Sequence, residues 1–397
     1  MNAVHIIGGG PTGMSLAWEI IHSQDAQVTI YDRKTSAGGS WWEPEGEYRD
    51  LHAHRIVFDR AFVNTQSLFK EMGIRWDTIF EPDATGPYNF IFKMLESWDY
   101  VSLASLASRV LLEPSKYKTT SLRDALGPLS DSGKSLIETL PLIMDGVTWD
   151  VMSAFEFVQS FNHVALSKAY TQKVSGRIMS DLMQKALEAK GVEFKFGKEL
   201  DDIEYFEDGY KATFTDGDVL EDGLLVLCLD NSPALKFLKD NWGPDAELRV
   251  RGSTYGAINI LLDFDEPVEL PADLEIATTT RLKLQPKVLS DGFTISCVIC
   301  NLTPEILKMP PEVLRDEVLN ELNDVPLPKN IRIGWGSEWN GEKWEFSQSS
   351  GVLSLHGQLP FFGSCPNVAM CGMMSPRNTP YSSIEAGIEV SRSLCHS

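Results

Sequence analysis

At 397 residues, with 43% apolar content and scattered Gly and Pro, the chain carries the composition of a globular protein and not of a disordered one. Its formal charge of −21 argues against a nucleic-acid partner, whose phosphates require a basic surface, and no run approaches the length of a membrane span. Met1 is followed within three residues by a strand pattern, so no export signal is expected and a cytoplasmic location is.

The apolar run "VHII" reads as a strand, and "PTGMSLAWEIIHS" carries Met14, Ala17, Trp18 and Ile21 at helical spacing, with Pro11 in the opening turn. "QVTIYD" reads as the next strand, so residues 4–32 form a strand, helix, strand unit of a parallel sheet. Between strand and helix, Gly8, Gly10 and Gly13 match G-x-G-x-x-G: a tight turn, a close backbone approach to a pyrophosphate, and close helix–strand packing. Pro11 and Thr12 then open a helix whose free N–H groups face the phosphates. Asp32, 19 residues after Gly13, is placed to accept hydrogen bonds from a ribose diol and disfavours a 2′-phosphate, hence NADP. Five residues beyond Asp32, Gly38-Gly39 give a second close approach, followed by Ser40, Trp41 and Trp42, which either stack on a ring or pack.

Further along, "SGRIMSDLMQKALEAKG" predicts a helix ending at Gly191. Strands follow, joined by turns at Asp208-Gly209 and Asp216-Gly217, then the buried strand "LLVLCL". Residues 236–345 alternate strand-like runs with one helix, "PPEVLRDEVLNELND", and "FTISCVIC" reads as a buried strand, not a metal site. The six cysteines and seven histidines do not cluster at ligand spacing, so no metal is expected. Near the end, "NVAMCGMMSPRNTPYSSIEAGIEVSRSL" predicts a strand ending at Gly372 and a helix after Ser382, with Ser382 and Glu385 as a capping box.

The opening glycine motif, the acid, five residues and the Gly-Gly pair resemble the FAD-binding flavoprotein superfamily of monoamine and polyamine oxidases, phytoene-type desaturases and UDP-galactopyranose mutase. The likeness is specific over residues 4–42 and ordered over residues 52–74, "GVEFKFGKELDDI" and the segment around Gly372. It implies a discontinuous Rossmann-like FAD-binding domain in an α/β chain, residues 1–80, 175–235 and 346–397, with an interwoven α+β substrate domain on a mixed or antiparallel sheet, residues 81–174 and 236–345. It also implies non-covalent FAD held by Gly8, Gly10, Pro11, Thr12, Gly13, Asp32, Arg33, Gly39, Ser40, Trp41, Leu200, Gly372, Met373, Ser383 and Ile384, with Leu200 at the adenine and the last helix aimed at the flavin.

Departures from the pattern select among the subfamilies. Met373 stands where the superfamily carries an acidic ribityl ligand. Asn259 stands where amine oxidases carry a lysine beneath the flavin, and Ser383 where they carry a cage tyrosine. Both substitutions match the desaturase pattern better. The expectation is therefore a desaturase-like oxidoreductase acting on a small or apolar molecule, with a flavin amine oxidase as the alternative and a non-redox isomerase, mutase or FAD-bound binding protein as the third. Asn259, Arg377, Tyr381 and His54 are the candidate catalytic groups; Trp335, Trp339 and Trp344 are candidate walls of an apolar pocket. No cysteine stands where the superfamily links flavin covalently, although Cys365 and Cys371 leave that open.

Overall fold

The computed structural model describes residues 2–42, 56–82, 95–164, 167–238, 241–252, 254–270, 281–289, 291–322, 325–334, 336–346, 350–380 and 384–396. Its strands run in chain order β1 (Asn2–Ile7), β2 (Ala26–Asp32), β3 (Ile56–Phe58), β4 (Phe80–Pro82), β5 (Ala169–Gln172), β6 (Glu193–Phe196), β7 (Leu200–Tyr205), β8 (Tyr210–Phe214), β9 (Val219–Leu220), β10 (Leu224–Leu227), β11 (Thr254–Tyr255), β12 (Ile258–Asp263), β13 (Leu284–Val288), β14 (Thr294–Ile299), β15 (Asn330–Ile333), β16 (Ser337–Trp339), β17 (Trp344–Phe346), β18 (Ser350–Gly351) and β19 (Val368–Met370). The fold is mixed α/β, with one parallel Rossmann-like sheet and several antiparallel ones, as expected.

The parallel sheet has the order β19-β10-β1-β2-β6, so pieces far apart in sequence meet side by side. Its register places Ile6 between Ile30 and Val226, which makes the middle of the sheet wholly apolar. On one face, α1 (Pro11–Ser23) packs its buried Met14, Ala17 and Trp18 against the sheet and against the last helix, Ile384–Cys395. The opposite face carries Ile7, Tyr31, Leu225 and Leu227 into a second core with the β7-β8-β9 meander, whose turns fall at the two Asp-Gly pairs. A four-stranded antiparallel sheet, β13-β14-β12-β15, forms the other sheet layer and buries Ile258, Ile260 and Cys297 against the helix Pro311–Glu321. Helices Ser97–Leu112, Asp131–Asp145 and Ala154–Val164 make a separate helical core. The tryptophans expected at a pocket wall belong to the antiparallel half: Trp344 is buried, donates to the Met309 carbonyl oxygen at 2.9 Å and meets Trp339 edge-on. Trp335 lies outside the described residues.

Glu385 does a different task from the one its sequence context suggests. Its buried carboxylate accepts hydrogen bonds from the backbone N–H groups of Asn64 (3.1 Å) and Thr65 (2.8 Å) and from both their side chains. These are the first-turn amides of α2 (Val63–Glu71), a helix whose own N-cap residue, Phe62, offers no side-chain acceptor. An anion at a helix N-terminus satisfies orphan donors and the helix dipole together. Glu385 thus supplies a cap to another helix, and Arg392 extends the tie by bonding Glu19 and Asn64; Ser382, the other member of the expected capping box, lies outside the described residues. Glu385→Ala leaves four donors without their acceptor and is expected to destabilise the protein by about 2–4 kcal/mol. Urea unfolding should show a lower midpoint, with Glu385→Gln falling between the two.

Candidate functional site: a crevice at the carboxyl edge of the parallel sheet

The parallel strands β1, β10 and β19 end on the same edge, and a crevice opens there. It is lined by Gly8, Gly10, Pro11, Thr12, Asp32, Arg33, Gly39, Ser40, Trp41, Leu200, Gly372, Met373 and Ile384, all expected from sequence, and by a wall the sequence reading missed, from Cys228 to Phe237. In open parallel sheets this edge is where ligands bind.

Backbone contact shapes the crevice floor. Gly8 has φ +114°, and a Cβ there would stand 2.2 Å from the Cys228 carbonyl oxygen. On Gly13 a Cβ would stand 2.0 Å from the Gly8 carbonyl oxygen, so this residue packs α1 onto β1 instead of lining the crevice. A Cβ on Gly39, which has φ +55°, would meet the Gly10 Cα at 2.7 Å, and the Gly38 N–H donates to the Gly9 carbonyl at 2.8 Å. The two glycine clusters of the sequence therefore form one surface.

Asp32, at the end of β2, is buried and holds this surface in place. Its Oδ2 accepts from the Gly9 N–H at 2.7 Å and its Oδ1 from the Lys34 N–H at 2.8 Å. A carboxylate oxygen can accept more than one hydrogen bond, so a ribose diol remains within its capacity. The cations around the mouth each face acids: Arg33 stands 3.6 Å from Glu199, and Lys198 pairs with Asp216 and Asp218. The Lys34 ammonium donates to the Gly39 carbonyl at 2.8 Å and lies 5.0 Å from the Trp42 ring centroid. Burial pushes it down to about 8, against the pull of Asp32 and Asp230. Among these three, charge is already balanced, which leaves little attraction for an added 2′-phosphate.

The last helix closes the far side. Gly387 lets it approach α1 so closely that a Cβ would stand 2.8 Å from Thr12 Oγ1, and its first residue, Ile384, lines the crevice. Ser383 lies outside the described residues, as do Tyr381 and His54. Cys371 and Cys228 line the crevice as free thiols, whereas Cys365 is buried in the meander core and donates to the Gly209 carbonyl.

Two candidate catalytic groups, Arg377 and Asn259, lie outside this lining. Arg377 does not face the crevice: its guanidinium donates to the carbonyl oxygens of Met373 (3.1 Å), Thr379, Pro380 (2.9 Å) and Gly351 (2.9 Å), and its side chain has no exposed surface. It braces the loop between β19 and the last helix. Asn259 is also fully buried, in the centre of the four-stranded sheet, where Oδ1 accepts from Ser296 at 3.0 Å and the side chain packs on Gly334. Neither is among the residues that line the crevice. The sequence could not place them because Ser296 and Gly351 come from other segments and the fold of the loop around Arg377 is not announced by its composition.

Arg377 also faces two buried carboxyls, Glu156 at 3.8 Å and Asp145. Glu156 Oε2 accepts from the Leu353 N–H at 2.9 Å, while Glu156 Oε1 and Asp145 Oδ2 have no hydrogen-bond partner. Burial raises both carboxyls, Asp145 to about 7, and the guanidinium only partly offsets this. A carboxyl raised on folding contributes stability that is complete below its unfolded value, 3.8, and is lost as pH climbs through the folded value. Asp145→Asn is therefore expected to exceed the parent in stability at about pH 8, by on the order of 3 kcal/mol, and to lose that advantage near about pH 4. Thermal melts across that range measure the difference.

Comparison with known proteins agrees with this architecture. Residues 6–62 match the family model described as an NAD(P)-binding Rossmann-like domain. A search of curated proteins finds no match. Among solved structures, an oxidoreductase from Methanosarcina mazei is similar over 100% of both chains, at 14% identity and TM-score 0.66. A putative protoporphyrinogen oxidase from Exiguobacterium sp. is similar over 100% of this chain and 98% of its own, at 14% identity and TM-score 0.62. A putrescine oxidase bound to putrescine covers the same shares at 11% identity and TM-score 0.68. The likeness to these solved structures thus extends over the whole fold. Among the described residues, no helix is long and apolar enough to cross a membrane.

Proposed function

We propose that this chain is an FAD-dependent oxidoreductase that holds the cofactor without a covalent bond and removes a hydride equivalent from a small or apolar organic molecule, as desaturase-type flavoproteins do. The observation that carries the reading is the convergence of Gly8, Gly10, Gly39, Asp32, Leu200 and Gly372 on one crevice from separate stretches of sequence. A single Gly-rich turn serves any dinucleotide; the second glycine pair and the meander residue extend the contact along a longer molecule. In this reading the amides at the start of α1 face the pyrophosphate, Asp32 holds the adenosine ribose, and the last helix turns its N-terminus toward the flavin. Bound FAD supplies the hydride acceptor. The protein's contribution is orientation, exclusion of water and a positive helix end where negative charge develops.

Asn259 does not line the crevice, so its standing in place of a lysine bears on amine oxidation only through the sequence resemblance. The fold shared with a putrescine oxidase keeps it as the second.

Protein purified from an expression host is expected to show flavin absorption bands, and chromatography of the released chromophore to identify FAD. Asp32→Ala removes both the ribose acceptor and the bond that holds Gly9, so its FAD content after gel filtration should fall at least tenfold, on the scale of about 1.5–3 kcal/mol for a charged hydrogen bond. Protein that is colourless and binds no added FAD overturns the reading. Anaerobic bleaching by alkyl or cyclic donors, and not by a panel of amines, separates the first reading from the second.

A further inference from the structure

The wall from Cys228 to Phe237 contains a carboxylate that does not cap its own helical turn. Asp230 occupies the N-cap position of a single helical turn, Asn231–Ala234, with extended backbone angles (φ −61°, ψ 157°). An aspartate there ordinarily accepts from the amides of the turn it caps. This one makes no side-chain cap bond, although its backbone carbonyl accepts from the Ala234 N–H at 3.0 Å. Its side chain lines the crevice. The charged groups that face it, Asp32, Arg33 and Lys34, all come from the end of β2 and the residue pair after it. Burial pushes its carboxyl up to about 6, Asp32 adds to the rise, and Lys34 and Arg33 oppose it.

Two carboxylates thus line the same crevice and repel one another, Asp32 from β2 and Asp230 from beyond β10. Such a pair complements hydrogen-bond donors, such as sugar hydroxyls or an exocyclic amine, and repels a phosphate monoester placed between its members. The nearby cations are themselves faced by acids, Arg33 by Glu199 and Lys34 by Asp32 and Asp230.

We propose that Asp230 is a second specificity residue of the crevice: with Asp32 it selects an adenosine whose 2′-hydroxyl is free and rejects the 2′-phosphorylated form. This rests on the reading of the crevice as a dinucleotide site and adds a residue that the glycine motif does not announce.

The test uses full-length protein stripped of bound flavin, titrated calorimetrically with adenosine 5′-monophosphate, adenosine 2′,5′-bisphosphate and FAD. The parent is expected to prefer the monophosphate over the bisphosphate. Asp230→Asn, nearly equal in size and so expected to keep the parent's circular dichroism and melting profile, should narrow that preference at least tenfold while FAD affinity falls only a few-fold. Asp230→Glu should restore most of the preference. An unchanged preference in Asp230→Asn, with Asp32→Asn altering it, overturns the role of Asp230 and leaves the dinucleotide reading standing. Failure of the parent to bind either FAD or the monophosphate overturns the dinucleotide reading itself, and the proposal with it.

Discussion

Main chain meets main chain at the carboxyl edge of the parallel sheet, and the candidate site follows from that approach. Where β1 turns into α1, the Gly8 carbonyl is covered by Gly13, Gly8 itself sits against the Cys228 carbonyl, and Gly10 rests on Gly39. Side chains at these points would displace backbone, which cannot move without disturbing the strand pairing on either side. Because backbone and not side chain meets at these points, the crevice floor presents N–H groups and a helix end, while the cations Arg33, Lys34 and Lys198 of its lining face acids. A chain with a net charge of −21 can offer an anion a place to sit in this way without a basic patch.

The features legible in the sequence are those set by stereochemistry within a few residues. A glycine motif between a strand and a helix, an acid at the end of the next strand and Asp-Gly turns in a meander depend on local geometry, and all appear at the expected positions. Features fixed by tertiary contacts or by the fold of a loop were not legible. Arg377 sits next to the glycine loop in sequence, yet its donors are committed to carbonyls of its own loop and of Gly351. Glu385 has the spacing of a local cap, and nothing in that spacing announces its bonds to α2, more than 300 residues earlier in the chain. The crevice wall after β10 was missed for a related reason: "CLDNSP" has no unusual composition, and it becomes part of the site only through the parallel register of Leu227 beside Ile7.

Charge within the protein is arranged differently at its two buried centres. At the crevice mouth each cation is answered by acids, which suits a ligand that carries its own charge in a pyrophosphate and needs hydroxyl acceptors elsewhere. At the junction of the helical core with the loop after β19, one guanidinium faces two carboxyls, and the imbalance is tolerated because one of them can retain a proton.

The tie between Glu385 and α2 also bears on biosynthesis. Residues 2–32 emerge first, but the apolar face of α1 is covered by a helix made from residues 384–395, and β19 joins the sheet only once residue 370 is available. A nascent chain therefore carries an unfinished hydrophobic surface through nearly its whole synthesis, a topology with many sequence-distant contacts that slows folding and invites chaperone capture before release.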